Sequence, residues 1–300
     1  MKCINKWICL SLLIAVSCVS GCGKTSAVIE QPYDVYATAA DFGLSSNGSA
    51  EAKSYFASDL CVSEDVAIGT DSTDSQVAEG AGTFNLETNT VVYAKNLYER
   101  LYPASTTKIL TAYIALKYCD DLDAMVTVSE NAVNQASDSS VCNLKAGDVI
   151  RLRDLLYGLM LRSGNDAAVA IAEYISGDVD SFAALMNQEA AAMGATRSHF
   201  VNRNGLPDEN HYTCVYDMYL IFSNAIKNDT FVSIIGTTSY DVTYTDASGE
   251  AVTHTWENTN QYLTGNATTP DGFQIVGGKT GTTGEAGYCL VLYSYNPSGQ

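Results

Sequence analysis

Three short polar motifs constrain this chain more than any other feature. Ser105-Thr106-Thr107-Lys108, Ser163-Gly164-Asn165 and Lys279-Thr280-Gly281 occur once each and in that order. Alone, a Ser-x-x-Lys match is weak, because a chain of this length should contain about one by chance. The ordered trio instead describes one serine acyl-transfer site assembled from three distant stretches, so the fold must bring those stretches together.

The first motif opens a strongly apolar segment. Pro103 suits a first helical turn, and Ile109, Leu110, Tyr113, Ile114 and Leu116 carry a helix on to Tyr118. Residues three apart on a helix share a face, so Ser105 and Lys108 present a hydroxyl and an amine to the same space. An ordinary lysine is protonated near neutral pH and works as a base only where burial, a helix N-terminus or a second cation lowers its pKa. Lys279 is a candidate for that cation. A helix start with a solvated lysine is the plainer alternative, which the apolar flanks disfavour.

Ser163-Gly164-Asn165 lies between the apolar run Leu155 to Leu161 and Asp166-Ala167-Ala168, at a bend between two buried helices. Ser163 can pass a proton to a departing amine and Asn165 can hold a substrate backbone group, while a simple capping turn is the alternative. Lys279-Thr280-Gly281 sits among Gly277, Gly278 and Gly284, where glycines let another backbone approach a strand and an extended peptide can add to its edge. There Lys279, Thr280 and Thr282 offer a cation and two hydroxyls to a carboxylate, and the backbone N–H groups of Ser105 and Thr282 can form an oxyanion hole. A glycine-rich hairpin turn is the competing reading.

Around the motifs, Gly80 to Leu86 and Thr90 to Ala94 read as a hairpin turning at Glu87-Thr88-Asn89. Periodicity predicts helices over Leu152 to Leu161, Asp166 to Ile175, Phe182 to Met193 and Val215 to Lys227, and strands over Tyr240 to Tyr244, Gln274 to Gly278 and Tyr288 to Tyr295. Helices in the middle with strands at both ends predict an α/β (α+β) domain whose sheet is mostly antiparallel. The hydrophobic share of 46%, with 10% aromatics, supplies a sizeable core.

The formal charge of -18, with no run of Lys or Arg, argues against a nucleic-acid partner. No Cys-x-x-Cys pair or Cys/His cluster stands at metal spacing, so no metal or cofactor is expected, and Cys61, Cys119, Cys142, Cys214 and Cys289 read as buried or semi-buried thiols. His199, His211 and His254 accompany no Gly-x-Ser-x-Gly nucleophile turn, and read as surface or loop histidines.

Tyr102-Pro103-Ala104-Ser105-Thr106-Thr107-Lys108, Leu161-Arg162-Ser163-Gly164-Asn165-Asp166-Ala167-Ala168 and Gly277-Gly278-Lys279-Thr280-Gly281-Thr282-Thr283 together resemble the serine D-alanyl-D-alanine carboxypeptidases, the low-molecular-mass penicillin-binding proteins. Met193-Gly194-Ala195-Thr196, His199-Phe200-Val201-Asn202 and His211-Tyr212-Thr213 match in style, and the resemblance runs from about residue 77 to the end. It implies the penicillin-binding protein/β-lactamase-like serine transpeptidase fold, an antiparallel sheet flanked by helices with a helical subdomain. The implied activity is removal of the terminal D-alanine from peptidoglycan stem peptides through an acyl-enzyme on Ser105, with β-lactams acylating the same serine. Lys108 and Ser163 would be the other catalytic residues, and Asn165, Lys279, Thr280, Gly281 and Thr282 the substrate-binding ones. Family members continue beyond a strand like Tyr288 to Tyr295 with a further strand, a terminal helix and a carboxylate-binding arginine, so this chain is expected to be a fragment without them.

Two alternatives belong beside that reading. A class A β-lactamase would carry Ser-Asp-Asn in the middle motif, where Gly164 stands here, and would need a deacylating glutamate, for which Glu209 is the nearest candidate. A lipid-anchored, non-catalytic sensor of β-lactams or muropeptides would keep the pocket and add a signalling module, which these residues do not contain.

The N-terminus carries its own signal. Lys2 and Lys6 form a basic start, Trp7 to Val19 an apolar run too short to span a bilayer as a mature helix, and Val19-Ser20-Gly21-Cys22 resembles a bacterial lipobox. The resemblance implies a signal peptide over residues 1–21, a lipidated Cys22 and anchorage on the outer face of the bacterial cytoplasmic membrane. An ordinary signal peptide with an incidental cysteine is the alternative. Residues 22–75, rich in Ser, Ala, Asp and Gly, read as a flexible spacer, part of which (Tyr55 to Val66) can pack on a catalytic domain spanning residues 76–300.

Overall fold

The computed structural model describes residues 57–69 and 77–296. Signal peptide and Cys22, most of the expected spacer and the last four residues lie outside them. Strands β1 (Ala81–Asn85) and β2 (Thr90–Lys95) pair antiparallel as the expected hairpin. Pro103 then caps a 3-10 turn, Ala104–Thr107, which runs into helix α1 (Lys108–Tyr118). Lys108, Ile109, Leu110, Thr111, Ala112, Ile114 and Ala115 of α1 are all buried. A helix apolar on nearly every side belongs inside a core, and α1 is the central one.

Around α1 the chain forms β3 (Met125–Thr127), α2 (Glu130–Val133), β4 (Val149–Arg151), α3 (Leu152–Leu161), α4 (Asn165–Ser176), α5 (Val179–Ala192), α6 (Val215–Ala225) and α7 (Asp229–Ile235). Helices α3, α4, α5 and α6 all pack on α1. Leu155, Leu156, Leu159, Ala168, Ile171, Phe182, Met186 and Ile221 join it in one buried cluster. Strands β5 (Ser239–Thr245), β6 (Ala251–Glu257), β7 (Gln274–Thr283) and β8 (Gly287–Tyr295) follow. Every strand pair is antiparallel, as expected, but the strands divide among a β1-β2 hairpin, a β3-β4-β5-β6 sheet and a β7-β8 pair.

Where the spacer meets the domain, the chain is held in place. Asp59–Gly69 belongs to the domain's compact unit, and of the segment Tyr55 to Val66 expected to pack there, Tyr55 and Phe56 lie outside the described residues. The Tyr219 hydroxyl accepts from Cys61 N–H at 2.8 Å, the Tyr216 hydroxyl donates to Cys61 C=O at 2.9 Å, and the Tyr98 hydroxyl donates to Ser63 C=O at 2.6 Å. Cys61 is fully buried beside Tyr219 and Leu220, and Ile68 forms an antiparallel bridge to Ala94. The segment lacks periodicity because side chains from elsewhere hold its backbone.

Candidate active site

Each motif reaches the site by a different local device. Ser105 lies in the 3-10 turn, one residue after Ala104, whose φ of 46° places a non-glycine residue in the left-handed region. Ser163, at φ 58°, is also left-handed and ends the bend between α3 and α4. Such conformations cost about 1–3 kcal/mol each and persist only where surrounding contacts fix them. Three residues beyond Ser163, the start of α4 is tied down through Asp166. Its buried carboxylate accepts from the backbone N–H groups of Cys142 (2.9 Å), Leu144 (3.1 Å) and Ala167 (2.9 Å), while Asn165 N–H donates to Ser140 C=O at 2.8 Å. The third motif lies inside β7, not in a hairpin turn, and Lys279 pairs with Val291 of β8.

Lys108 Nζ stands 2.8 Å from Ser105 Oγ and donates to the Asn204 carbonyl at 2.8 Å. Lys279 Nζ donates to Ser163 Oγ at 3.0 Å and to the Thr280 carbonyl at 2.7 Å. The two lysines are 0% and 1% exposed respectively, and no carboxylate within ion-pair distance serves either among the described residues. Burying an uncompensated cation costs several kcal/mol, so such a group sheds its proton instead. Burial, and then the nearby Lys279 cation, hold the Lys108 amine well below the ordinary lysine range. Burial brings Lys279 down to about 7. Burial and the second lysine together thus favour the neutral form of the amine beside Ser105, whose lone pair accepts the hydroxyl proton.

Glycines let backbone close in on the nucleophile from two sides. A Cβ at Gly281 would stand 2.9 Å from Ser105 N and 3.2 Å from Thr106 N, so β7 lies directly against the nucleophile turn. Gly205, at φ 87°, presses on the Ala104 carbonyl with no room for any side chain. The Thr280 hydroxyl lies 2.7 Å from that of Thr259, and the Thr282 hydroxyl is turned to the Gly281 carbonyl at 2.8 Å. Contacts thus join Ser105 to Lys108 and to the Gly281 backbone, and Lys279 to Ser163, with Asn165 two residues beyond Ser163 and Thr280 and Thr282 beside Gly281 in β7, while Cys22 lies outside the described residues. Glu209 is exposed on a loop, where its main-chain carbonyl accepts from Arg100.

Three residues that the motifs do not contain also belong here. Thr259, Asn204 and His211 touch the motif residues through side chain or carbonyl, and His211 is a loop histidine, as read, but a buried one at 1% exposure rather than a surface one. None sits in a periodic segment. Only the Asn/Gly-rich loop from Asn202 onward hinted at tight backbone geometry.

The arrangement has known counterparts. A family model described as D-alanyl-D-alanine carboxypeptidase, peptidase S11, matches residues 69–296. A D-alanyl-D-alanine carboxypeptidase of Streptomyces sp. strain K15 is 37% identical over 225 residues, covering 72% of this chain and 75% of that one. The carboxypeptidase DacF of Bacillus subtilis is 35% identical over 219 residues, covering 71% of this chain and 53% of that one, so this chain spans about half the length of some curated relatives. Among solved structures, the crystal structure of the Streptomyces K15 DD-transpeptidase superposes with a TM-score of 0.67 at 35% identity, over 73% of this chain and 84% of that one. The carboxypeptidase DacD of Francisella tularensis does so with a TM-score of 0.66 at 28% identity, over 79% and 67% respectively.

Proposed function

We propose, from the premise that this chain belongs to peptidase family S11, the D-alanyl-D-alanine carboxypeptidases, that it removes the terminal D-alanine from peptidoglycan stem peptides by way of an acyl-enzyme on Ser105. The observation that carries the reading is the 2.8 Å contact between Ser105 Oγ and a fully buried lysine amine whose pKa is depressed. Neutral Lys108 takes the Ser105 proton as Oγ attacks the carbonyl of the penultimate D-alanine. The backbone N–H groups of Ser105 and Thr282 face the developing oxyanion, and each such donor contributes roughly a hundredfold to a thousandfold in rate. Ser163, held by Lys279, delivers a proton to the departing amine as the C–N bond breaks and takes in its place the proton that Lys108 received, leaving the lysine neutral. Water then gives a proton to Lys108 as it attacks the ester carbonyl, and that proton returns to Ser105 Oγ as the acyl–oxygen bond breaks. Lys279, Thr280 and Thr282 receive the substrate carboxylate, Asn165 holds a substrate backbone group, and Gly281 lets the peptide lie close along β7.

A β-lactam meets the same nucleophile, but its ring-opened ester leaves no small amine to diffuse away. No observation favours a β-lactamase instead: Gly164 occupies the middle position of the second motif, and the exposed Glu209 has no geometry for activating water. The family places the reaction in the cell wall, and the lipobox-like Val19-Ser20-Gly21-Cys22 supports anchorage through Cys22 to the outer face of the cytoplasmic membrane. Mass spectrometry after labelled penicillin tests the mechanism: the wild-type protein gains one adduct and Ser105→Ala gains none. Wild-type protein without an adduct would sink it.

A further inference from the structure

The nucleophile turn is held by a loop as well as by its own helix. Three successive contacts leave one face of α1 and its preceding turn for the segment 199–211. Thr107 Oγ1 lies 2.9 Å from His211 Nε2, Lys108 Nζ donates to Asn204 C=O at 2.8 Å, and Thr111 Oγ1 donates to Arg203 C=O at 2.7 Å. The loop is closed on itself by the Asn202 side chain, whose Oδ1 accepts from Gly205 N–H at 2.7 Å and Asn204 N–H at 3.3 Å. Beyond Asn202, His211 reaches back to the loop's entry, where its Nδ1 accepts from Val201 N–H at 3.1 Å.

That last contact fixes the histidine's chemistry. Backbone N–H can only donate, so Nδ1 carries no proton and the ring hydrogen sits on Nε2, aimed at Thr107 Oγ1. A second proton would set two donors against each other at Nδ1. Phe200 packs edge-on against the ring with centroids 5.5 Å apart, and burial pulls the imidazole down to about 4. His211 is therefore a neutral bridge between the loop's entry and the residue that precedes the base.

Building on the acyl-enzyme reading, we infer that His211 is a positioning residue for Lys108: by tying Val201 N–H to Thr107 Oγ1 it sets where the Asn204 carbonyl meets the lysine amine, and so where the amine's lone pair points. A neutral amine has two hydrogens and one lone pair. With one hydrogen committed to Asn204 C=O, only two orientations of the amine remain, and in one of them the lone pair meets the Ser105 hydroxyl. Loss of the bridge frees the loop by a fraction of an ångström, which misaligns proton transfer without removing any group that binds substrate.

The test separates binding from chemistry in acylation by a fluorescent penicillin. His211→Leu should lower the acylation rate constant about tenfold to a hundredfold, the range expected for misplacement by up to roughly 1 Å, with the pre-acylation dissociation constant within about twofold of wild type. Two milder variants keep the inference testable if the leucine variant does not fold. Thr107→Val removes the receiving hydroxyl at nearly constant volume, and His211→Gln keeps a donor where Nε2 stands. Thr107→Val should lose acylation rate as His211→Leu does, whereas His211→Gln should recover at least part of it, and combining His211→Leu with Thr107→Val should cost no more than either alone. A folded His211→Leu or Thr107→Val that acylates at the wild-type rate, or losses that multiply in the double variant, overturns the positioning role. Wild-type protein that forms no adduct on Ser105 marks failure of the acyl-enzyme reading instead.

Discussion

Gly281→Ala is the sharpest probe of the way β7 meets the nucleophile. An alanine Cβ there would stand 2.9 Å from Ser105 N, 3.1 Å from Ala104 Cβ and 3.2 Å from Thr106 N, whereas ordinary contact begins near 3.4 Å. All three neighbours are main chain or the first carbon of a side chain, so none can swing aside. Strand and turn must part by about half an ångström. Oxyanion donors work within about 2.7–3.1 Å of the reacting oxygen, so a displacement of that size consumes the whole window. Misplacement by about 1 Å costs roughly a hundredfold, and complete loss of one donor roughly a hundredfold to a thousandfold. Gly281→Ala should therefore slow acylation about tenfold to a hundredfold, equivalent to about 1.4–2.7 kcal/mol on the barrier. Gly284→Ala is the matched control, because a Cβ there meets nothing within 4 Å and its φ lies outside the left-handed region. The assay is stopped-flow acylation by a fluorescent penicillin, with thermal melts alongside. Gly281→Ala that folds and acylates within twofold of Gly284→Ala would refute the reasoning, since the nucleophile turn would then tolerate a displaced strand.

Two further predictions concern charge and anchorage. Lys279 helps depress the Lys108 pKa, so Lys279→Met should let it rise; since the base must be unprotonated to act, the acid limb of the acylation profile should move to higher pH. A limb that stays put or moves to lower pH would assign the depression to burial alone. For the anchor, cells fed an alkyne fatty acid should label the wild-type protein but not Cys22→Ala, and the variant should leave the membrane fraction; an unlabelled wild-type protein removes the lipid from the proposal.

Much of the fold was legible in the sequence where apolar runs were long. Helix α3 begins and ends where Leu152 to Leu161 predicts, because Leu152 and the run Leu155 to Leu161 are apolar and arginines flank the stretch. Helix α5 starts three residues earlier than Phe182, since Asp178 caps it by accepting from Asp180 and Ser181 N–H, a signal the apolar pattern does not contain. Strand β6 escaped because Thr253, His254 and Thr255 are polar and only Trp256 is buried. Strands β3 and β4 are three residues each, too short for any period to register. At the site, the motif residues were readable because each motif is a local string. Asn204, His211 and Thr259 were not, because they act through one carbonyl, one ring tautomer and one hydroxyl supplied by loops whose shape is set by tertiary contact.

The docked segment ahead of the first hairpin has a consequence for how this protein can diverge. Tyr98, Tyr216 and Tyr219, all inside the region shared with the family, grip the main chain of Cys61 and Ser63, which lie before it. A hydroxyl that reads a peptide group is indifferent to the side chain it carries. Cys61 is fully buried and must stay small, whereas Ser63 is only half-buried and the Tyr98 hydroxyl meets its carbonyl, not its side chain. The tyrosines thus act as a socket for backbone, and the leading polypeptide can be exchanged over evolutionary time while its point of attachment stays constant.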